Sequence, residues 1–552
     1  MPDLHPTCPW TGLPFTVTEE DQQFYKNLDL PPPILCPEER QRRRLAFRNE
    51  RTLYQRTCSS CKKPLVSIYP SDAPCPVFCH DCWWSDDWDP LAFGMEMDFD
   101  RPFFEQFGEL LRKVPQIALN NASSENSEFT NQSSHNKNCY LAIVANHSED
   151  CFYGTWFQYC KNCMDCLYLE KGERCYEVIN AKNCNHCSFS QNIENCSDCL
   201  FCKDCIGCHN CWGCVNLRNK EFHILNKKYS QEEYLKKIKE FDLGKHSVLS
   251  QLKKSFLKFT QTFPHKFYIG KNNENFSGDF LLNNKNAFES FGCRHNESIK
   301  FCYDSWSNQN CYDLTETIGN RFCLEIEGSD DNVESAYCTK IYATNRAFYC
   351  SHCRFDKNIF GCVALRKKNH CILNKQYTEK EYEKLLPRLI KHMQKTGEWG
   401  QFFPPSISLF PYNDTVAQDY YPLSKSEALQ RDVRWSDYKT PIPQVQKIIP
   451  AHKLPDSIKD IPDDILNWAI ECEVSKKPFK IVRAELEFYR KENLPIPRKH
   501  PDIRHQERIG WRNPRKLWDR TCQTCEKALQ TTFSPDRLEK VVCEECYLKA
   551  VD

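Results

Sequence analysis

The 552-residue chain is short of glycine, with 17, and of methionine, with 5. So little glycine leaves few places for phosphate-cradling loops or flexible linkers. No apolar run reaches the 18 residues that a membrane-spanning helix needs. The N-terminal MPDLHPTCPW lacks the basic-then-apolar pattern of a secretory leader. Charge of one sign is also missing in the total, at 74 basic against 74 acidic residues, so electrostatic recognition must be local. There is no Walker loop, no GxSxG, no HExxH and no recognisable triad, and the 16 histidines are scattered. These absences point away from catalysis and from the membrane, and toward a cytoplasmic protein with reduced thiols.

What the chain has is cysteine, 36 of them. In a reducing compartment such residues bind metal, pack as small hydrophobes or act as nucleophiles. Their spacing separates these roles. All fifteen cysteines from Cys139 to Cys214, and all nine from Cys293 to Cys371, lie at multiples of three residues. A twelve-residue period sits on top. It is marked by Cys139, Cys151, Cys163, Cys175, Cys187, Cys199 and Cys211 in the first block, and by Asn272, Asn284, Asn296, Asn308, Asn320 and Asn332 in the second. Residues 124–219 and 272–367 cut into eight twelves each. A helix of 3.6 residues per turn drifts out of a three-residue phase over such a length. A stacked coil keeps it, because each rung buries its inner face only against its neighbours. The expected fold is therefore mainly β, with two 12-residue-repeat β-solenoids, each roughly 35–40 Å long at ~4.8 Å per rung. Small inner residues suit a narrow bore. Ala142, Ala145 and Ala181 should face inward, and Lys182 and Glu194 outward.

The blocks are copies of one another. GCVNLRNKEFHILNKKYSQEEY from Gly213 aligns without gaps to GCVALRKKNHCILNKQYTEKEY from Gly361. Each copy ends in a helix signal, Ser230 with Glu233 and Thr378 with Glu381, which fit capping boxes. These helices should cover the last rung.

The chain ends form a second duplication. Cys58-x2-Cys61 with Cys79-x2-Cys82, and Cys522-x2-Cys525 with Cys543-x2-Cys546, each place seventeen residues between two CxxC knuckles. Two knuckles supply four thiolates to one point, a closed tetrahedral set that indicates structural Zn²⁺, one ion per ribbon. Upstream, Cys8 matches Cys472, and Cys36 matches His500, 22 residues before each ribbon. Thr11 and Ser475 stand where second ligands would be. These are degenerate ribbons, either metal-free or holding zinc with Cys8, Cys36, Cys472 and His500. Cys196, Cys199, Cys202, Cys205, Cys208, Cys211 and Cys214 fill seven of eight inner positions in two adjacent rungs. That concentration of thiols is either filler or a metal or redox site.

Between the degenerate and intact ribbons run arginines. Arg40, Arg44, Arg48 and Arg51 match Arg504, Arg508, Arg512 and Arg515, and the first three of each set share a helix face. They either pair with nearby carboxylates such as Glu38, Glu39, Glu50 and Asp519, or contact nucleic-acid phosphates, which guanidinium forks fit. The acidic segment DDWDPLAFGMEMDFD at 86–100 is placed to neutralise them. The residue after one cysteine column is often aromatic: Tyr140, Phe152, Tyr176 and Trp212, then Phe276, Phe288, Tyr312, Phe348 and Phe360. Stacking would align these into a ladder, covered by another part of the chain or offered to a protein partner.

The expected organisation starts with a degenerate ribbon and Arg-rich module at 1–57 and a ribbon at 58–85. An acidic linker and helix follow at 86–123. Solenoids at 124–225 and 269–374 flank a helical spacer at 226–268, and a capping helix occupies 375–397. A Pro/aromatic strap at 398–460, a second degenerate module at 461–517 and a ribbon at 518–552 complete the chain. With its ribbons, its CWWSDDWDPL segment, its rungs and its FYRKENLPIPRKHPD block, the sequence resembles a family of uncharacterised cysteine-rich zinc-ribbon proteins of small-genome candidate-phylum bacteria. The resemblance covers essentially the whole chain, implies zinc and a cytoplasmic location, and implies no chemistry. Three functions follow as expectations: a non-enzymatic scaffold gripping RNA, DNA or a ribonucleoprotein through its ends, a protein-interaction scaffold, or a thiol-lined metal-cluster protein.

Overall fold

A computed structural model describes residues 2–438 and 443–551. The three-residue phase is the geometry of one side of a square rung. In each side the first residue points inward, the second bridges to the residue twelve on, and the third turns the corner. Cys139 is buried, Tyr140 bridges to Phe152, and Leu141 has φ 48°. Ala142, Ile143 (bridging Thr155) and Val144 (φ 52°) then repeat the pattern. Left-handed backbone is costly for residues with a Cβ, least so for asparagine and aspartate. Corners such as Asn138, Asp150 and Asn162 reduce that cost. Hydrogen bonds offset the remainder, because each side is tied both up and down. Tyr140 N–H donates to Cys151 O at 3.1 Å and Leu141 N–H to Phe129 O at 3.1 Å.

The first solenoid runs in parallel register from Asn121 to Ile224, and the second from Gly270 to Ile372. Ala142, Ala145 and Ala181 are buried in the bore as expected. Lys182 and Glu194 are only half exposed, because each stacks in a column, Lys182 3.4 Å from Glu170. The asparagine column of the second block is also internal. Asn296, Asn308, Asn320 and Asn332 each donate from Nδ2 to the preceding asparagine's Oδ1 at 2.8–3.1 Å. Asn272 does not belong to that column. It is an exposed corner, and Asn273 supplies the first acceptor, 3.0 Å from Asn284 Nδ2, because the opening rung is one residue short.

Each solenoid ends by reversing into a short hairpin, His223 against Lys228 and Cys371 against Gln376. The helices Gln231–Ile238 and Glu379–Thr396 follow, both opened by the expected capping boxes. Their tyrosines, Tyr234 and Tyr382, are buried against the final rung at Phe222 and His370. The two rods lie side by side and run in opposite directions. Trp156 meets Trp306 at 5.2 Å, whereas Glu170, one rung further on, meets Arg294, one rung further back, at 3.4 Å.

The end modules cross over. The N-terminal module packs on the second rod and the C-terminal module on the first. The linker helix Phe103–Lys113 stops before Pro115 and buries Phe103, Phe107, Leu110 and Leu111. The strap closes over it, with Phe403 stacked on Phe107 at 4.6 Å. Among the described residues no helix is long and apolar enough to cross a membrane.

Candidate metal centres

Each ribbon begins with a hairpin, Tyr54–Thr57 with Pro64–Ser67 and Trp518–Thr521 with Ala528–Thr531. Its tip is the first knuckle. Cys58 N–H donates to Lys63 O at 2.8 Å and Lys62 turns through φ 63°. Cys522 and Glu526 do the same, with Cys522 N–H to Lys527 O at 2.8 Å and φ 62°. The second knuckle leads into a helix, His80–Trp84 or Glu544–Val551. The knuckles bring Cys58, Cys61, Cys79 and Cys82 together, and likewise Cys522, Cys525, Cys543 and Cys546. In each set all four sulfurs lie within 4.8 Å of one another. Cys61 and Cys79 are 3.8 Å apart, and Cys525 and Cys543 3.7 Å. Zinc–sulfur bonds of about 2.3 Å at tetrahedral angles put sulfurs roughly 3.8 Å apart, so both sets fit the ion.

The backbone prepares these sulfurs. Burial opposes ionisation of Cys58 and Cys522, but peptide N–H groups outweigh it and bring both thiols down to about 6. Cys79 N–H donates to Cys58 Sγ at 3.3 Å, and Cys543 N–H to Cys522 Sγ at 3.3 Å. A thiolate already bonded by N–H groups is the form a metal takes up. All four ligands come from the protein, which leaves no open coordination position for substrate.

The other sulfurs do not assemble this way. Among the described residues, the two ribbon sets are the only groups of three or more ligand atoms this close together. Cys36 Sγ has Thr11 Oγ1 at 3.7 Å as its neighbour. Cys472 Sγ accepts N–H bonds from Ser475 at 3.4 Å and His500 at 3.2 Å, while the His500 ring accepts from Asp502 N–H at 3.2 Å, facing its own helix start. The degenerate modules keep the knuckle and have lost the ligand set. In the bore, the thiols from Cys196 to Cys214 are fully buried and point at carbonyls, as Cys199 Sγ does to Ser197 O at 3.3 Å and Cys208 O at 3.4 Å. A thiol fits here because it is small and is a weak donor matched to a carbonyl of its own rung and one of the next.

The arginines face inward. Arg40, Arg44, Arg48, Arg504 and Arg508 are at most 6% exposed. Arg40 Nε donates to Asp313 at 3.0 Å and Arg44 Nη1 to its other oxygen at 3.2 Å. The duplicated half repeats this, with Arg504 and Arg508 on the two oxygens of Asp165, the latter at 2.7 Å. Arg48 is held by Glu50 at 2.6 Å, by Glu327 at 2.7 Å and by Glu316. Arg512 lies between the rings of Tyr168 and Phe280, Arg515 pairs with Asp304, and Arg51 reaches Thr155 Oγ1 at 3.4 Å. Carboxylates and rings, most of them on the rods, occupy the groups that a phosphate would need.

No protein-family model matches the chain, and no curated protein is similar to it.

The acidic segment serves the second rod instead of the arginines: Lys375 pairs with Glu96, Lys368 stands 4.0 Å from Asp89, and Met95 N–H donates to Leu373 O at 2.9 Å. Most of the aromatic ladder is covered. Phe152, Tyr176 and Trp212 are buried in a core shared with the C-terminal module, and Tyr312 and Phe360 in one shared with the N-terminal module. Sequence reasoning missed Asp165 and Asp313, the anchors of both modules. A signal was available: the two aspartates lie 148 residues apart, the offset of the duplicated blocks, and their arginines 464 apart, the offset of the ribbons.

Proposed function

We propose that the protein is a non-enzymatic scaffold for protein partners, with one structural zinc ion in each terminal ribbon. The observation that carries this reading is the inward-facing arginine stripe. The cations that would have gripped a nucleic-acid backbone at the chain ends are ion-paired within the fold, so the end modules act as clamps on the rods. The ribbons extend the clamps. Arg366 donates to Trp83 O of the first ribbon, and Tyr547 of the second donates to Asn216 Oδ1 at 3.0 Å and accepts from Arg218 at 3.2 Å. Zinc is favoured by the all-thiolate closed set, and structural metal by the lack of an open coordination position. The bore thiols, directed at carbonyls, favour packing over metal chemistry.

The test is Arg508→Ala, with melting temperature and RNA binding measured on the same preparation. A scaffold clamped by this arginine melts lower and has no salt-dependent RNA affinity to lose. RNA binding by the native protein that collapses in the variant at unchanged melting temperature restores the nucleic-acid reading. Affinity capture of the native protein, with bound protein and RNA both identified, then names the partner.

A further inference from the structure

Among the differences between the two halves of the molecule, one surrounds a cleft. Where the N-terminal module, the second rod and the approach to the second ribbon meet, there is a cleft of about 980 Å³. This is at the upper end of the range for small-molecule sites. Phe288 and Phe291 contribute to its floor, and Glu20 and Glu289 line its sides. Phe288 is half exposed, and among the described residues no ring stacks on it.

The cleft is acidic in effect as well as in composition. Its cations are already engaged: Lys300 with Asp21 at 2.8 Å, Lys516 with Glu38 at 3.6 Å, and Arg515 with Asp304. Glu20 and Glu289 are exposed, and no ion pair engages either among the described residues. At the corresponding positions of the other half stand Ala484 for Glu20, Leu141 for Glu289 and Phe152 for Lys300. The arginine clamps, which hold the fold, are kept in both halves, whereas the free acids occur in one. Packing does not require them, since the other half folds without them.

We propose that this cleft binds a cationic polypeptide segment, whose lysine or arginine side chains lay their alkyl stems on the half-exposed Phe288 and bring their charged heads to Glu20 and Glu289. Long basic side chains combine an apolar stem with a charged tip, and an aromatic floor beside carboxylates matches both parts. The size of the cleft favours a segment of chain over a single small amine. The proposal rests on the protein-scaffold reading and gives its partner a chemistry.

The probes are fluorescein-labelled hexa-arginine and hexaglutamate, titrated by anisotropy into the full-length protein, with spermine as competitor. Hexa-arginine should bind and hexaglutamate should not. The double variant Glu20→Lys with Glu289→Lys should weaken hexa-arginine binding at least tenfold while its melting temperature stays that of the parent. Glu20→Gln with Glu289→Gln should fall between. Glu232→Lys with Glu240→Lys, on the exposed spacer helix and in the turn after it, should change nothing. Failure of the parent to bind hexa-arginine, or equal binding by parent and Glu20→Lys/Glu289→Lys, overturns the proposal. So does displacement by equimolar spermine, which would make the ligand a small polyamine. If affinity capture still returns a protein partner from the charge-reversed variant, the cleft assignment fails and the scaffold reading stands.

Discussion

Asp165 and Asp313 each hold two arginines in the interior of the fold. Their side chains are fully buried, and each carboxylate faces two guanidinium groups from one helix. Removing such a carboxylate takes the shared partner from two buried cations and leaves only Glu325 beside Arg44, or Glu485 beside Arg504, at a cost of about 3–5 kcal/mol. Asp165→Ala should lower the unfolding free energy read from denaturant titration by that amount, chiefly at the contact between the C-terminal module and the first rod. Asp313→Ala should act at the other contact. Glu485, beside the first pair, gives a pH signature. Burial raises its carboxyl to about 7, against the opposing pull of Arg504. The folded state therefore holds this proton more tightly than the unfolded chain. The contribution to stability is complete below the ordinary carboxylate pKa and is lost as the pH rises through about 7, up to roughly 3 kcal/mol. Glu485→Gln should flatten the stability profile between pH 5 and 8 and raise the midpoint at pH 8. Chemical denaturation across that range checks both.

At the scale of elements, rung and ribbon fail in different ways. On the proposed reading a ribbon is held by one zinc ion, so Cys525→Ser should reduce bound zinc from about two per chain to about one. It should also release Tyr547 from Asn216 and Arg218, since structural zinc binding is folding free energy for so small a unit. Elemental analysis with amide exchange over residues 518–551 measures both effects. A rung is held by columns. The Asn308 side chain gives and receives five bonds, with Asn296, Asn320 and Thr317. Asn308→Leu should cost on the order of 2–4 kcal/mol, because neighbouring amides lose their partners in a sealed bore. Alanine at the same site should cost a similar amount, which separates the loss of hydrogen bonds from the loss of packing. Much of this scale was legible in the sequence. Cysteine spacing set the rung, CxxC spacing set the ribbons, and Ser230 and Thr378 set the capping boxes. The corners were not anticipated, although asparagine or aspartate before cysteine, as at Asn138, Asp150 and Asn162, was their mark. Alternation of inner and outer positions says where a side chain points. It does not say that the backbone between them turns left-handed.

In the whole molecule, sequence neighbours are not structural partners. Each end module touches the adjacent rod, as Asn49 does at Asn131 and Thr532 at Asp279, but its paired arginines clamp the distant one. The arginine stripe illustrates why this was hidden: local carboxylates such as Glu39 and Glu50 do take part, but the deciding partners lie about 270 to 340 residues away. Periodicity carries no information on which rod a module chooses. Charge complementarity does so only once the two offsets of the duplication are set side by side. The crossing predicts that extracting zinc from the N-terminal ribbon with Cys61→Ser raises amide exchange in the last rungs of the second rod, near Arg366, and leaves the first rod protected. Exchange that rises instead in residues 124–225 contradicts the crossed arrangement.

The crossed clamps also impose a waiting time on a growing chain. Arg40 precedes Asp313 by 273 residues and Asp165 precedes Arg504 by 339. At about 5–20 residues synthesised per second, each half of a clamp must wait on the order of tens of seconds for the other. During that interval the first rod can stack rung on rung from its own local contacts, but Asp165 stays unclamped until Arg504 and Arg508 have left the ribosome. Synthesis halted before Arg504 therefore leaves a stacked first rod whose Asp165 has neither of its arginines. The seam at Asp313 can close as soon as the second rod is made, and the seam at Asp165 only after Arg504 and Arg508 have followed.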